Sequence, residues 1–320
     1  MDHFKNFWVA KPQYKEVEYP DQKERTYVVT GGLSGVGMET ARLLLKKRAR
    51  VVIVGRNRDF AQEALEQLSR EIPEGEAAFV QLDLSDLESV KKGGQEIAKF
   101  YPVIHGVVLN AGTMAPPYAK TKQGHEIHWG TNVMGHHLLM KYLEPCVIRA
   151  AHRSPPGTVR IVWVAASSST LIPGLEGHIK IGSNHDDEKK PPHVLYNMSK
   201  TGNAYEGYLW SKFHPDSGVV SVSMDPGNLS TNINRHTGGI VHRFKDYVLY
   251  PAKFGAYTEL AALLSPDIKD GDHLVPWGVP GTLRHDVDEA RKGPKGEEVW
   301  MELERDTQAF YEPLPEEVQA

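Results

Sequence analysis

Cysteine is nearly absent from this chain: Cys146 is the single one among 320 residues. That excludes an internal disulfide and fits a reducing compartment, so a cytoplasmic location is expected. A lone cysteine of this kind reads as a small packed hydrophobe rather than a nucleophile. No run of 18 or more apolar residues occurs, so no membrane span is expected. Residues 1–14 are polar and aromatic and lack the apolar centre of a signal peptide. Basic excess is missing as well: the formal net charge is −4, which leaves no electrostatic footprint for nucleic acid. The chain is 40% hydrophobic and 24% charged. At this length it can bury roughly 75% of its unfolded surface without staples, as one large α/β domain or two small ones.

Short apolar runs alternate with helical segments. Strands are expected at 25–30, 50–55, 77–82, 103–109, 158–166 and 219–224, with a last short one at 272–276. Helices are expected at 38–47, 59–71 (Asp59 as its cap), 86–100, 121–151, 194–213, 254–264 and 296–310. This βα alternation implies an α/β fold: a single Rossmann-type, doubly wound parallel sheet of about seven strands, with right-handed crossovers and helices on both faces. Residues 1–24 read as a lead-in, 25–283 as the Rossmann domain and 284–320 as a helical, acidic tail. An irregular insert at 171–193 carries several Pro and Gly residues and the charge run from Asp186 to Lys190.

The first strand runs directly into Gly31-Gly32-Leu33-Ser34-Gly35-Val36-Gly37, and a helix follows. In that context a glycine-rich turn lets the backbone approach a pyrophosphate, while the helix N-terminus offers unpaired N–H groups. The spacing Gly31, Gly35, Gly37 differs from the widespread Gly-x-Gly-x-x-Gly form, and an ordinary tight turn is the alternative. Arg56, helped by Arg58, follows the second strand, where an acid would bind a ribose 2′-hydroxyl and an arginine accommodates a 2′-phosphate. This argues for NADP over NAD; solvated turn charge is the alternative. Asp83 and Leu84 end the third strand, where a carboxylate could take the adenine amino group. Asn110-Ala111-Gly112 ends the fourth.

Tyr196 and Lys200 lie four residues apart, on one helix face. An ammonium near a phenol favours the phenolate and could make a general acid/base from a group with a pKa of about 10. The same pair also occurs on ordinary surface helices. His125, His128, His136 and His137 do not match a zinc-helix spacing, so packing or surface histidines are expected and no metal.

Together these residues resemble the short-chain dehydrogenase/reductase family. The resemblance rests on Thr30-Gly31-x-x-x-Gly35-x-Gly37, Asn110-Ala111-Gly112, Asn132, Tyr196-x-x-x-Lys200 and Pro226-Gly227, in the family's order over roughly residues 24–280. The set looks like the branch around retinol dehydrogenases and fungal secondary-metabolism reductases, and residues 160–164 and 275–278 in particular look fungal. The resemblance implies that Tyr196 is the proton donor or acceptor and that Lys200 lowers its pKa and holds the nicotinamide ribose. It implies that Asn132 keeps a water in a relay to Lys200, and that Asn110, Ala111 and Gly112 floor the cofactor. Pro226, Gly227, Leu229 and Thr231 would hold the carboxamide end. A serine after the fifth strand would bind the substrate oxygen, but in ungapped register that position falls on Ala166. A one-residue slip would bring Ser167 into the role. The helices at 121–151 and 195–213 resemble those that pair across a two-fold axis in the family, which suggests a homodimer. The expected activity is NADP(H)-dependent reduction of a ketone or aldehyde on a fairly apolar small molecule, or oxidation of the alcohol. Leu171, Ile172, Leu175, Ile233, Val241, Phe244 and Tyr247 hint at its apolar pocket. The alternative is a non-catalytic NADP-binding sensor or scaffold on the same fold.

Overall fold

The computed structural model describes residues 18–114, 116–166, 190–230 and 250–315. The chain begins with β1 (Thr26–Thr30), α1 (Gly35–Lys46), β2 (Arg50–Gly55), α2 (Arg58–Glu71), β3 (Glu76–Gln81), α3 (Leu87–Phe100) and β4 (Gly106–Leu109). A short α4 (Ile127–Trp129), a π-helical turn (Gly130–Met134) and α5 (Gly135–His152) follow. Then come β5 (Arg160–Val164), α6 (Pro192–Phe213) and β6 (Val220–Met224). The two-residue strands β7 (Leu229–Ser230) and β8 (Tyr250–Pro251) pair in a separate ribbon. The chain continues through α7 (Ala252–Leu264), β9 (His273–Val275), β10 (Val279–Gly281), α8 (His285–Lys292) and α9 (Pro294–Thr307).

The main sheet has eight strands in the order β10-β9-β6-β5-β4-β1-β2-β3. All neighbours are parallel except β10, which returns antiparallel to β9. That edge strand, Val-Pro-Gly, is one more than expected, because three residues of that composition carry no strand signal of their own. Side chains alternate across the sheet with period two. Val28, Val107, Leu109 and Ile161 pack with α3, α5 and α6. Tyr27, Val29, Val108 and Val162 pack with α1, α2 and α7. Both faces are covered, which is why these strands read as continuous apolar runs.

Three local expectations change. Asn57, not Asp59, caps α2, its side chain accepting from the Phe60 N–H at 3.0 Å. The segment 121–151 is not one helix, because the Glu126 carboxylate takes the first N–H groups and starts a new turn at Ile127. The tail forms two helices, α8 and α9, with Gly293 between them.

These tail helices join the same core: Val287, Ala290, Val299, Trp300 and Leu303 pack in the cluster that α3, α5 and α6 build. Trp300 stacks on Phe213 and meets His137 edge-on, each at a ring separation of 4.9 Å. Buried His137 bridges Glu206 Oε2 at 2.9 Å and Glu304 Oε1 at 3.1 Å. Burial disfavours its cation, but the two carboxylates outweigh burial and hold its pKa up at about 9. A raised folded pKa contributes stability that is complete below the unfolded value of 6.5 and is lost as pH rises through about 9. Thermal midpoints should therefore fall from neutral pH to above pH 9, and His137→Ala should abolish that component. The variant leaves Glu206 buried without its counter-charge, at a cost of about 3–5 kcal/mol by urea denaturation.

Candidate active site

The strand order reverses between β1 and β4, which opens a crevice at the carboxyl ends of the strands. Thr30, the last residue of β1, ties the walls of that crevice together. Its hydroxyl accepts from Ala111 N–H at 3.0 Å and lies 3.0 Å from His136 Nε2, and its carbonyl accepts from Asn110 Nδ2 at 2.9 Å. The chain then turns at Gly31 in the left-handed region, φ +69°. A Cβ at Gly37 would lie 2.5 Å from Asn110 Nδ2 and 2.7 Å from the Gly31 carbonyl oxygen, so only glycine fits there. Ser34 caps α1 in extended conformation without a side-chain cap bond. The first-turn N–H groups of Gly35, Val36 and Gly37 have no intrahelical acceptor. Leu33 rests against Gly55, and Val36 is buried against Gly255 of α7.

Arg56 stands exposed just past β2, and among the described residues its guanidinium makes no hydrogen bond or ion pair. Arg58, also exposed, opens α2. Asp83 is half-buried, with Oδ1 accepting from the Ser85 N–H at 2.9 Å and hydroxyl at 2.7 Å. Leu84 is buried against Gly135. The glycine cradle, with its free first-turn N–H groups, fits an anionic dinucleotide.

Helix α6 brings Tyr196 and Lys200 into the same crevice, with Lys200 Nζ 6.0 Å from the Tyr196 ring centre. Lys200 is buried and donates to the Val164 carbonyl at 2.7 Å. Burial pulls its pKa down to about 8, although Glu259 works the other way. The Tyr196 phenol is pushed up, first by burial and then by Asp225. The expected depression by Lys200 is therefore absent from this geometry: the ammonium is turned to a strand carbonyl, and desolvation of the phenolate prevails.

Asn132, in the π-helical turn, uses its side chain to join two walls. Its Oδ1 accepts from Thr113 N–H at 2.9 Å, and its Nδ2 donates to Thr113 O at 3.1 Å and to Ser199 Oγ at 2.9 Å. The Ser199 hydroxyl donates to the Tyr196 carbonyl at 2.7 Å. Gly112 lies between them: a Cβ there would be 3.2 Å from Asn132 Oδ1 and 3.5 Å from Lys200 Nζ. Pro226 and Gly227 follow Asp225, whose Oδ1 accepts the Gly227 N–H at 2.8 Å, and Leu229 is buried. Ser167, Thr231 and most of the insert at 171–193 lie outside the described residues, as do Ile233, Val241, Phe244 and Tyr247. The β5–β6 ladder stays regular through Val164, and Ala165 N–H still bonds the Met224 carbonyl, so no slip occurs before Ala166.

The expectation of a packing or surface histidine holds for His136 as far as its burial goes but misses its place in the site, and Asp225 and Glu259 were not expected there. His136 has a legible signal, since it falls one helical turn after Asn132; its Nδ1 bonds the Asn132 carbonyl at 2.9 Å. Asp225 and Glu259 come to the site only through folding. Among the described residues no group of three or more His, Cys, Asp or Glu could hold a metal ion. Cys146 is buried, and burial pushes its thiol up to about 11. Among the described residues no helix is long and apolar enough to cross a membrane.

Comparison with known proteins agrees with this geometry. The short chain dehydrogenase family model matches residues 25–169. The chain is 36% identical over 293 residues to the short-chain dehydrogenase/reductase bet4 of Neocamarosporium betae, covering 88% of this chain and 84% of that one. It is 34% identical to a short-chain dehydrogenase/reductase of Phomopsis amygdali, covering 93% and 92%. The chain belongs to the short-chain dehydrogenase/reductase family, an oxidoreductase family, and the two relatives just named are fungal members. Among solved structures, an uncharacterised protein of Mycobacterium paratuberculosis superposes with a TM-score of 0.69 at 24% identity, covering 92% of this chain and 97% of that one. The Pseudomonas aeruginosa RhlG/NADP active-site complex superposes with a TM-score of 0.61 at 19% identity, covering 79% and 94%. At these identities the two structures speak for the fold alone.

Replacing Thr30 by valine should leave the half-buried Ala111 N–H and the buried His136 Nε2 without a partner. We expect a loss of about 1–3 kcal/mol in urea unfolding, larger than that of the similar change at half-buried Thr158, whose hydroxyl bond to the Pro155 carbonyl is exposed.

Proposed function

We propose that the protein is an NADP(H)-dependent oxidoreductase that reduces a ketone or aldehyde on a fairly apolar small molecule, or oxidises the corresponding alcohol. The observation that carries this reading is the meeting of the Gly31–Gly37 cradle with Tyr196 and Lys200 in one crevice. The bound cofactor supplies the hydride. The N–H groups at the start of α1 would receive the pyrophosphate, and Arg56 with Arg58 the 2′-phosphate. Asp83 and Leu84 would hold the adenine, and Asn110, Ala111 and Gly112 would floor the cofactor. Pro226, Gly227, Leu229 and Thr231 would hold the carboxamide end of the nicotinamide, and Ser167 the substrate oxygen. Asn132 keeps the Thr113 loop and α6 in register.

Tyr196, with its pKa raised, is protonated at neutral pH and so acts as the acid that protonates a carbonyl oxygen. Lys200, with a pKa of about 8, holds its proton at neutral pH and loses it just above. A protonated Lys200 can replace the proton that Tyr196 gives up, which favours reduction near neutrality. Similarity to fungal reductases supports a place in secondary metabolism, and the lone cysteine supports the cytoplasm. A homodimer through α5 and α6 has little free surface to use: from Ser199 to Trp210 no residue of α6 is exposed, because the sheet and the tail helices cover it. One observation supports a second reading, a non-catalytic NADP-binding sensor: the β5–β6 ladder is regular through Val164, and Ala166 is the residue on which the family's serine falls in ungapped register.

Fluorescence titration tests the cofactor reading. NADPH should bind in preference to NADH, and Arg56→Ala should weaken NADPH about 10- to 100-fold, the size of a hydrogen bond to a charged group, with NADH unaffected. No binding of either nucleotide overturns the proposal. Tyr196→Phe should bind NADPH as the wild type does and lose turnover; a wild type that binds but turns over no carbonyl in a broad screen is the sensor. The reductive rate should fall as pH rises through about 8, the pKa of Lys200.

A further inference from the structure

We propose that His128, held by Glu126, is a positioning residue for Tyr196. The proposal rests on the reading of Tyr196 as the proton donor. Neither residue belongs to the motifs described above, yet both are buried, Glu126 at 1% exposure and His128 at 0%. The two Glu126 oxygens have separate tasks. Oε2 accepts from the His128 and Trp129 N–H groups, each at 2.9 Å, and so starts α4. Oε1 faces His128 Nδ1 at 2.6 Å. A carboxylate at that distance keeps the proton on Nδ1 and fixes the ring's orientation. The His128 ring then meets the Tyr196 ring edge-on, with centroids 6.2 Å apart and planes at 70°.

The contact matters because the terminal torsion of tyrosine is soft, with a broad well. An edge-to-face neighbour restricts it. His128 itself cannot drift, because α4 is seated on α6: a Cβ at Gly202, two residues beyond Lys200, would lie 3.0 Å from the Trp129 ring. Glu126 therefore aims the phenol through His128, without touching substrate or cofactor. Misplacing a reacting group by 1 Å costs about 10²-fold in rate.

The test uses the full chain with 13Cζ-labelled tyrosine, the Tyr196 signal being assigned with Tyr196→Phe. Glu126→Gln, which keeps an acceptor for the helix cap, should move that signal. The same change in a His128→Phe background should move it no further, because Glu126 then has nothing to act through. Exposed His152→Ala is the control and should leave the signal in place. With NADPH and 9,10-phenanthrenequinone, both variants should lower kcat about 10- to 100-fold, with KM and the NADPH Kd within about two-fold of wild type. An unmoved Tyr196 signal in Glu126→Gln overturns the proposal, as does a shift that persists undiminished in the His128→Phe background. So does a loss shared equally by kcat, KM and Kd, which marks general loosening. A wild type that binds no NADPH sinks the functional reading, and the labelled-tyrosine comparison still decides the role of the pair.

Discussion

The buried hydroxyl of Thr30 is the constraint on which the site depends. It sits where β1 ends and the glycine turn begins, and it bonds Ala111 of one neighbouring loop and His136 of α5. From His136 the chain of hydrogen bonds continues through the Asn132 carbonyl. The Asn132 side chain then connects to Thr113 and Ser199, and Ser199 to the Tyr196 backbone. The glycine turn and the helix that carries Tyr196 are thus linked by one polar network. Buried networks of this kind stabilise only when every member is satisfied, so they fix one arrangement and penalise the alternatives.

Burial also sets the electrostatics. His136 is pulled down to about 3 by desolvation and by Lys200, so it stays neutral, able to donate to Asn132 and to accept from Thr30. Lys200 comes down to about 8 while Glu259, between α1 and α7, is pushed up to about 8 by burial, with Thr40 and Lys200 opposing. Thr40 donates to Glu259 at 2.5 Å. Desolvation leads every one of these shifts. The crevice therefore weakens the charged form of each group, which brings Lys200 and Glu259 towards neutrality and moves the Tyr196 phenol away from it.

The tail bears on the site from behind. Trp300 and Glu304 of α9 clamp His137, which is next in the chain to His136. The α5 segment that carries the polar network is thus held from the sheet side by Thr30 and from the outer side by the tail.

Much of this was legible in the sequence. Apolar runs at βα spacing fixed the parallel sheet, because strands buried on both faces admit few polar residues. Gly31 and Gly37 marked the cradle, because no side chain fits where two backbones meet. The interval from Tyr196 to Lys200 put both on one helix face. What the sequence could not reveal depends on residues far apart in the chain: Asp225 beside Tyr196, Glu259 behind Lys200, and Val164 as the acceptor that draws the ammonium away. The short strand β10 and the break at Glu126 were also illegible, since one is held by pairing with β9 and the other by a side-chain cap. The sequence by itself determined the element order and the placing of Tyr196 and Lys200 on one helix face, because periodicity and spacing are local. Only the tertiary structure decided the electrostatic setting of those two side chains, because desolvation and neighbouring charge exist only once distant segments have packed together.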